Sequence, residues 1–221
     1  MDKLTQIHKE SMLESTSKKE IYNTWSETYD NYVQQQKYTG PRELVNKLST
    51  MIMNFNSREI EVLDFGCGTG LVGAEIHRQG INVVVDGVDL SPNMLEKARE
   101  RNCYRNLWEL NLMDNIIKNE LHGSLENGID ENANKKLYPL IVSCGVFLEG
   151  HGPIEIIDKL VDHLEREGFL LFTIRDSYLE KEGEKVKKYI LENPRLKVLE
   201  KESIAYLENV ECSMFLVYRV F

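Results

Sequence analysis

The string Val62-Leu63-Asp64-Phe65-Gly66-Cys67-Gly68-Thr69-Gly70 constrains the fold of this chain more than any other stretch. A short apolar run of strand type meets three alternating glycines, and a helical pattern then continues through Ile76 and stops near Gly80. Glycines let a backbone turn tightly and approach a ligand with no Cβ in the way. The start of the next helix offers amide donors that have no partner within the helix. The stretch reads as strand, turn and helix, with the Asp64 carboxylate close to the turn.

A second β-rich stretch, Asn82 to Leu90, ends on Asp89 at the separation that one βαβ unit requires. A carboxylate there can accept hydrogen bonds from both hydroxyls of a ribose. Ser91 and Pro92 supply an N-cap hydroxyl and a proline suited to the first helical position, which leaves Asp89 free for a ligand. Met94, Leu95 and Ala98 carry that helix inward. Asp64, Gly66, Cys67, Gly68, Gly70 and Asp89 together suit S-adenosylmethionine, with the glycine loop at its amino-acid carboxylate and Asp64 toward its ammonium. Gly68-Thr69-Gly70-Leu71-Val72-Gly73 also matches the GxGxxG dinucleotide fingerprint, so a nicotinamide-linked oxidoreductase stands beside that reading. Asp64 and Gly66 favour the sulfonium nucleoside, because a dinucleotide strand normally runs straight into its first glycine.

Around this centre the chain alternates helical and strand patterns. Ile21, Trp25, Tyr29 and Val33 form one helical stripe over residues 17 to about 36. Tyr38-Thr39-Gly40-Pro41 ends it, and Leu44, Leu48 and Ile52 mark a second helix. Asn106 to Leu112 reads as a third strand, and residues 115–137 as a polar surface insertion. A fourth strand at Leu140 to Cys144 leads to a helix that Pro153 opens and Gly168 closes. A fifth strand at Phe169 to Ile174 and a helix at 181–192 follow, and residues 196–206 and 211–221 form paired strands. This alternation predicts a mainly parallel sheet covered on both faces, with an antiparallel member from the closing pair.

With 221 residues, the chain is expected to form a single domain, its first 16 residues flexible and residues 17–55 forming N-terminal lid helices. A net charge of −9 offers no sequence-wide basic field for phosphates, which disfavours nucleic acid and favours a small molecule or a protein as partner. The first twenty residues contain no continuous apolar run, so neither a signal peptide nor a membrane anchor is expected, and the cytoplasm is the expected location. Cys67, Cys103, Cys144 and Cys212 are widely spaced, which fits reduced thiols better than disulfides or zinc; no metal is expected.

The glycine string with its preceding acid resembles motif I of class I S-adenosylmethionine-dependent methyltransferases, and Val88-Asp89-Leu90-Ser91-Pro92-Asn93-Met94-Leu95 resembles the acidic motif that follows it. Tyr22-Asn23-Thr24-Trp25-Ser26-Glu27-Thr28-Tyr29-Asp30 is similar to the W-x3-Y-D lead helix of that superfamily. Tyr38 to Pro41 narrows the resemblance to the methyltransferase-like proteins named after the Williams-Beuren syndrome chromosome region. The match runs from about residue 20 to 175. It implies an α/β, Rossmann-like class I methyltransferase fold with a mainly parallel seven-stranded sheet, an antiparallel last strand and helices on both faces. It also implies that Trp25, Tyr29 and Tyr38 close over the donor and that Leu90 and Met94 flank its adenine and ribose.

After the third strand the superfamily often places an acid for the adenine. Here Asn111 and Leu112 occupy that place, with Asp114 as a further candidate. The usual aromatic-Asp pair at the fourth strand is Tyr138-Pro139. The loop Ser143 to His151 follows, where Cys144 and Gly145 would face the methyl group and the acceptor. His151 or Tyr38 would serve as a base only if the acceptor arrives protonated. The resemblance implies methyl transfer to an unidentified small molecule or protein; a module that binds adenosylmethionine without transferring its methyl is the alternative.

Overall fold

The computed structural model describes residues 3–13, 17–53, 55, 59–110, 136–208 and 210–221. Three helices lead, α1 (Lys3–Ser11), α2 (Lys18–Gln35) and α3 (Gly40–Ile52). β1 (Ile60–Phe65), α4 (Leu71–Arg78), β2 (Val83–Asp89), α5 (Pro92–Glu100) and β3 (Asn106–Glu109) then alternate. After them come β4 (Tyr138–Phe147), α6 (Ile156–His163), β5 (Leu164–Arg175), α7 (Asp176–Lys181), α8 (Gly183–Val186) and a π-helical turn (Lys187–Leu191). β6 (Leu196–Leu207) and β7 (Val210–Arg219) close the chain.

The sheet has seven strands in the order β3-β2-β1-β4-β5-β7-β6. β1 pairs in parallel with β2 and β4, as do β2 with β3 and β4 with β5, whereas β7 runs antiparallel to both β5 and β6. This is the mainly parallel sheet with an antiparallel last strand that the alternation predicts. Successive strand residues point to opposite faces, and the core divides accordingly. Ile60, Val62, Leu140, Val142, Leu171, Met214 and Leu216 meet Leu44, Leu48, Val72 and Ile76 of α3 and α4. Leu63, Phe65, Ile141, Phe172, Phe215 and Val217 meet Ile157, Leu160 and Val161 of α6. Each such aliphatic or aromatic side chain contributes about 1.5–3 kcal/mol on burial, so both faces need their helices.

Several boundaries differ from the sequence reading. α6 ends at His163 rather than near Gly168, because the Arg219 guanidinium donates to the carbonyls of Val161 (2.9 Å) and Leu164 and so satisfies the helix's C-terminal end. The helix expected at 181–192 is broken at Gly183 into α7, α8 and the π turn, which turn Tyr178, Val186 and Ile190 into the core. Within the first 16 residues, Lys3–Ser11 form a helix, since Ile7 and His8 have the aromatic face of α2 to pack on. β3 ends at Glu109, and the remainder of the expected strand, Asn111 and Leu112, lies outside the described residues, as do Asp114 and residues 115–135.

Away from the rim where the β1 and β2 loops emerge, Asp86 ties three strands together. Its fully buried carboxylate accepts hydrogen bonds from the Arg105 guanidinium, Asn106 (2.9 Å), Lys136 (2.9 Å) and Tyr138 (3.0 Å). Desolvation pushes its pKa up, but the donors from Arg105, Lys136 and Asn106 prevail and hold the carboxyl below the ordinary aspartate value. A depressed acid of this kind contributes stability above its unfolded-state pKa and loses it as pH falls through the folded-state value. Asp86→Ala should therefore cost about 3–5 kcal/mol at neutral pH, the usual consequence of removing one partner from a buried charge cluster. Urea unfolding of the two proteins measures this, and the gap should narrow on acidification.

Candidate active site

The loops after β1, β2 and β4 emerge at one rim of the sheet, because these strands are parallel and adjacent. Gly66, Gly68 and Gly70 all have positive φ, at 73°, 54° and 84°. At Gly66 a Cβ would fall 2.3 Å from Val146 Cγ2, so the turn has no room for a side chain. At Gly68 a Cβ would meet nothing within 4 Å and would point into open space. The N–H groups of Gly66 and Cys67 both donate to the Val88 carbonyl (2.9 Å each). The Gly68 N–H donates to Asp89 Oδ2 (2.8 Å), while Asp89 Oδ1 accepts from the Ser91 N–H (2.9 Å). Ser91 caps α5 through its hydroxyl, which accepts from the Met94 N–H (3.2 Å). Asp89 is thus not free in the way the sequence suggests: its carboxylate joins the two loops and has only its remaining lone pairs for a ligand.

A cleft opens above this rim, with about 960 Å³ of empty space when its mouth is included. Of the residues singled out in the sequence, Gly66, Cys67, Gly68, Asp89, Leu90, Met94, Cys144, Gly145, Tyr29, Tyr38 and His151 line it. Trp25, Asp64 and Gly70 do not. Trp25 is only 2% exposed and lies behind the wall, with ring centroids 5.0 Å from Tyr29 and 5.2 Å from Tyr32. Tyr22, one helical turn earlier on the same face of α2, takes the cleft position that Trp25 was expected to hold. Gly70 is the left-handed N-cap of α4, packed against Tyr104 and Ala98. Asn111 and Leu112 lie outside the described residues.

Asp64 sits fully buried beneath the loop. Its Oδ2 accepts a 2.6 Å hydrogen bond from the Tyr104 hydroxyl, whose oxygen in turn accepts from the Gly73 N–H (3.1 Å), and its Oδ1 has no partner among the described residues. Burial, opposed by the Tyr104 bond and reinforced by the Asp89 charge, pushes the Asp64 carboxyl up to about 7. Tyr104 is a member of the site that the sequence reading missed, since nothing in its local pattern sets it apart from a packing residue.

Burial keeps the histidine and the tyrosines of the cleft wall uncharged. His151 is largely enclosed rather than solvent-facing; burial above all, with the Lys18, Arg175 and His8 charges, pulls its pKa down to about 4. Its Nδ1 lies 2.9 Å from the Glu149 carbonyl, which can only accept, so Nδ1 carries the proton and Nε2 keeps its lone pair. The Tyr38 hydroxyl lies 3.2 Å from Cys144 Sγ and 3.1 Å from the Tyr206 hydroxyl, and burial raises its pKa well above the usual phenol value. A phenol in that state donates hydrogen bonds and does not serve as a base.

α2 is fastened to this site from outside. Asp30 accepts from the Thr69 hydroxyl (2.6 Å) and pairs with Arg101, whose Nε donates to the Thr69 carbonyl (2.6 Å). Asn23 Oδ1 accepts from the Ser91 hydroxyl (2.6 Å), and Asn93 donates to the Asn23 carbonyl (3.0 Å). Because the Asp30 side chain is partly exposed, Asp30→Ala should shift global stability by less than about 1 kcal/mol. Hydrogen exchange followed by mass spectrometry should nonetheless show faster exchange in α2, with β1 unchanged.

Among the described residues, no group of histidine, cysteine and acidic side chains could hold a metal ion, and no helix is long and apolar enough to cross a membrane.

The methyltransferase domain family matches residues 32–209, well over half of the chain. The malonyl-[acyl-carrier protein] O-methyltransferase of Priestia megaterium is 29% identical over 155 residues, covering 70% of this chain and 50% of that protein. Human methyltransferase-like protein 27 is 38% identical over 87 residues, covering 39% of this chain and 35% of that protein. The chain thus spans about half the length, or less, of these curated relatives. Its fold resembles magnesium protoporphyrin IX methyltransferase from Synechocystis, with a TM-score of 0.63 at 15% identity, covering 93% of this chain and 98% of that one. It also resembles the plantazolicin methyltransferase BpumL, with a TM-score of 0.62 at 15% identity, covering 98% and 99%. Strand order, glycine loop and family match agree, and the chain belongs to the methyltransferase domain family.

Proposed function

We propose that this protein transfers a methyl group from S-adenosylmethionine to an acceptor that is a small molecule or a protein. The observation that carries this reading is the open space at Gly68, in a loop fixed by Asp89 at the floor of the cleft. The residues present fit the donor. The buried Asp64 carboxylate beneath the loop would favour an ammonium group through its charge and not by direct contact, and the remaining lone pairs of Asp89 suit ribose hydroxyls. Leu90 and Met94 offer apolar surface for a purine, and Tyr22, Tyr29 and Tyr38 wall the far side.

When bound, S-adenosylmethionine supplies a methyl group that its sulfonium has already activated. The chain's own task is then to bind, orient and exclude water, and good alignment is worth roughly 7–11 kcal/mol. We read residues 1–221 as one methyltransferase domain in which the helices within 17–55 close over the donor. We place the protein in the cytoplasm. The nearer kinship with the Williams-Beuren region proteins belongs to the same reading and rests on Tyr38 to Pro41.

Titration calorimetry should detect S-adenosylmethionine and not NAD, and adenosylhomocysteine should be released in the presence of cell extract. Gly68→Val should abolish donor binding while the protein stays folded, because the side chain enters the cleft rather than the core; circular dichroism checks the fold. Since Asp64 sits near pKa 7, donor affinity should fall as pH drops from about 8 to about 6, by at most about tenfold per unit. Asp64→Asn should flatten that dependence in the same titration.

A further inference from the structure

Tyr104 lies in the connection between α5 and β3, and its ring is threaded past three glycines. A Cβ would fall 2.5 Å from it at Gly73, 3.0 Å at Gly70 and 3.0 Å at Gly87. Gly87 is the β2 residue that pairs with Asp64 of β1, so the bare backbone there lets the ring reach the Asp64 side chain. At the end of that passage the phenol oxygen accepts from the Gly73 N–H (3.1 Å), one of the first-turn amides of α4 that no helical carbonyl satisfies. Its own proton is thereby directed to Asp64 Oδ2, 2.6 Å away. A phenylalanine would fill the same channel, so packing alone does not account for the hydroxyl.

Asp64 depends on that bond. It is fully buried, its Oδ1 is unpartnered and, among the described residues, no lysine, arginine or histidine pairs with it. The titratable groups that face it, besides Tyr104, are Asp89 at the end of β2, Cys67 in the loop, Cys103 next to Tyr104 and Cys144 on β4. Burial pushes all three thiols above the ordinary cysteine value, so none competes as an anion. Burial and the Asp89 charge push the Asp64 carboxyl up, and the Tyr104 bond is the influence that pulls it down. A donor aimed at a carboxylate favours the charged form. An amide at the positive end of a helix polarises the phenol that makes the bond. Building on the methyltransferase reading above, we infer that Tyr104 is a positioning residue whose hydroxyl keeps Asp64 charged beneath the donor loop.

A packing role and this role separate by pH. Lost packing weakens donor binding by the same factor at every pH, because a void does not titrate. A lost hold on Asp64 moves the pH at which the carboxyl ionises, so its effect shrinks once the solution is alkaline enough to ionise Asp64 without help. The donor's own ammonium titrates in a similar range, but it cancels in the ratio of two proteins measured on the same donor.

Tyr104→Phe removes the oxygen and keeps the ring. The carboxyl carbon of Asp64 is followed by NMR through a pH titration of the ligand-free protein, with Asp64→Asn identifying the signal. Affinity for S-adenosylmethionine is measured by calorimetry over the same range. The wild-type midpoint is expected at about 7, and Tyr104→Phe should raise it by about one unit or more, the size of one hydrogen bond to a charged group. The variant should bind the donor about fivefold or more weakly near pH 7, and the gap should close toward about pH 9. An unmoved midpoint, or a gap of constant size across the range, would overturn the inference. Should Tyr104→Phe not fold, a fluorinated tyrosine at 104 decides, being a stronger donor of nearly the same size: the Asp64 midpoint must then fall, and an unmoved one overturns the inference. The carboxyl titration needs no donor. A wild-type protein that binds no S-adenosylmethionine at any pH therefore ends the methyltransferase reading and the donor half of this inference, while the midpoint still decides whether Tyr104 holds Asp64 ionised.

Discussion

The Asp89 carboxylate is the point on which the site depends. Two strands laid parallel bring two unrelated loops to the same rim, but parallel pairing alone does not fix how those loops sit. Asp89 does so by accepting from Gly68 on one side and Ser91 on the other. Hydrogen bonds to a charged acceptor are stronger than neutral ones, so the positive-φ backbone at Gly68 is held open before any ligand arrives. The paired donation of Gly66 and Cys67 to Val88 adds a second tie within the same few residues. Preorganisation of this kind lowers the ordering cost of binding.

The charge layout follows from that anchor. Carboxylates at 64 and 89 gather beneath and beside the glycine loop, and the charges of Lys18 and Arg175 act on His151. Tyrosines that burial keeps protonated line the cleft between these groups. The net charge of −9 says nothing of this local arrangement, because bulk charge averages over a surface that the cleft does not share.

Much of this was legible in the sequence, for reasons that differ by element. The glycine loop, Asp89 and Ser91 were readable because the constraint on each is local: a turn, a strand end, an N-cap. Apolar runs and helical spacing likewise exposed the strands and α2. The spacing could place Tyr22, Trp25 and Tyr29 on one helix face, yet it could not say which ring faces the cleft and which packs behind, since that depends on α1 arriving with Ile7 and His8. Tyr206 and Arg175 escaped notice because β6 and β5 bring them to the rim by pairings far apart in the chain. The end of α6 escaped for the same reason, resting on Arg219 of the last strand.

β7 lies between β5 and β6 although it is made after both. During synthesis the outer edge of β5, carrying Phe172, lacks its neighbour in the described sheet until β7 leaves the ribosome. β6 must wait as well, since among the described residues its only sheet partner is β7. Non-local pairing of this kind slows folding, and an open apolar edge invites pairing with other chains. The nascent protein thus passes through an interval in which everything needed for the donor rim has been translated while the sheet that supports it is still unfinished.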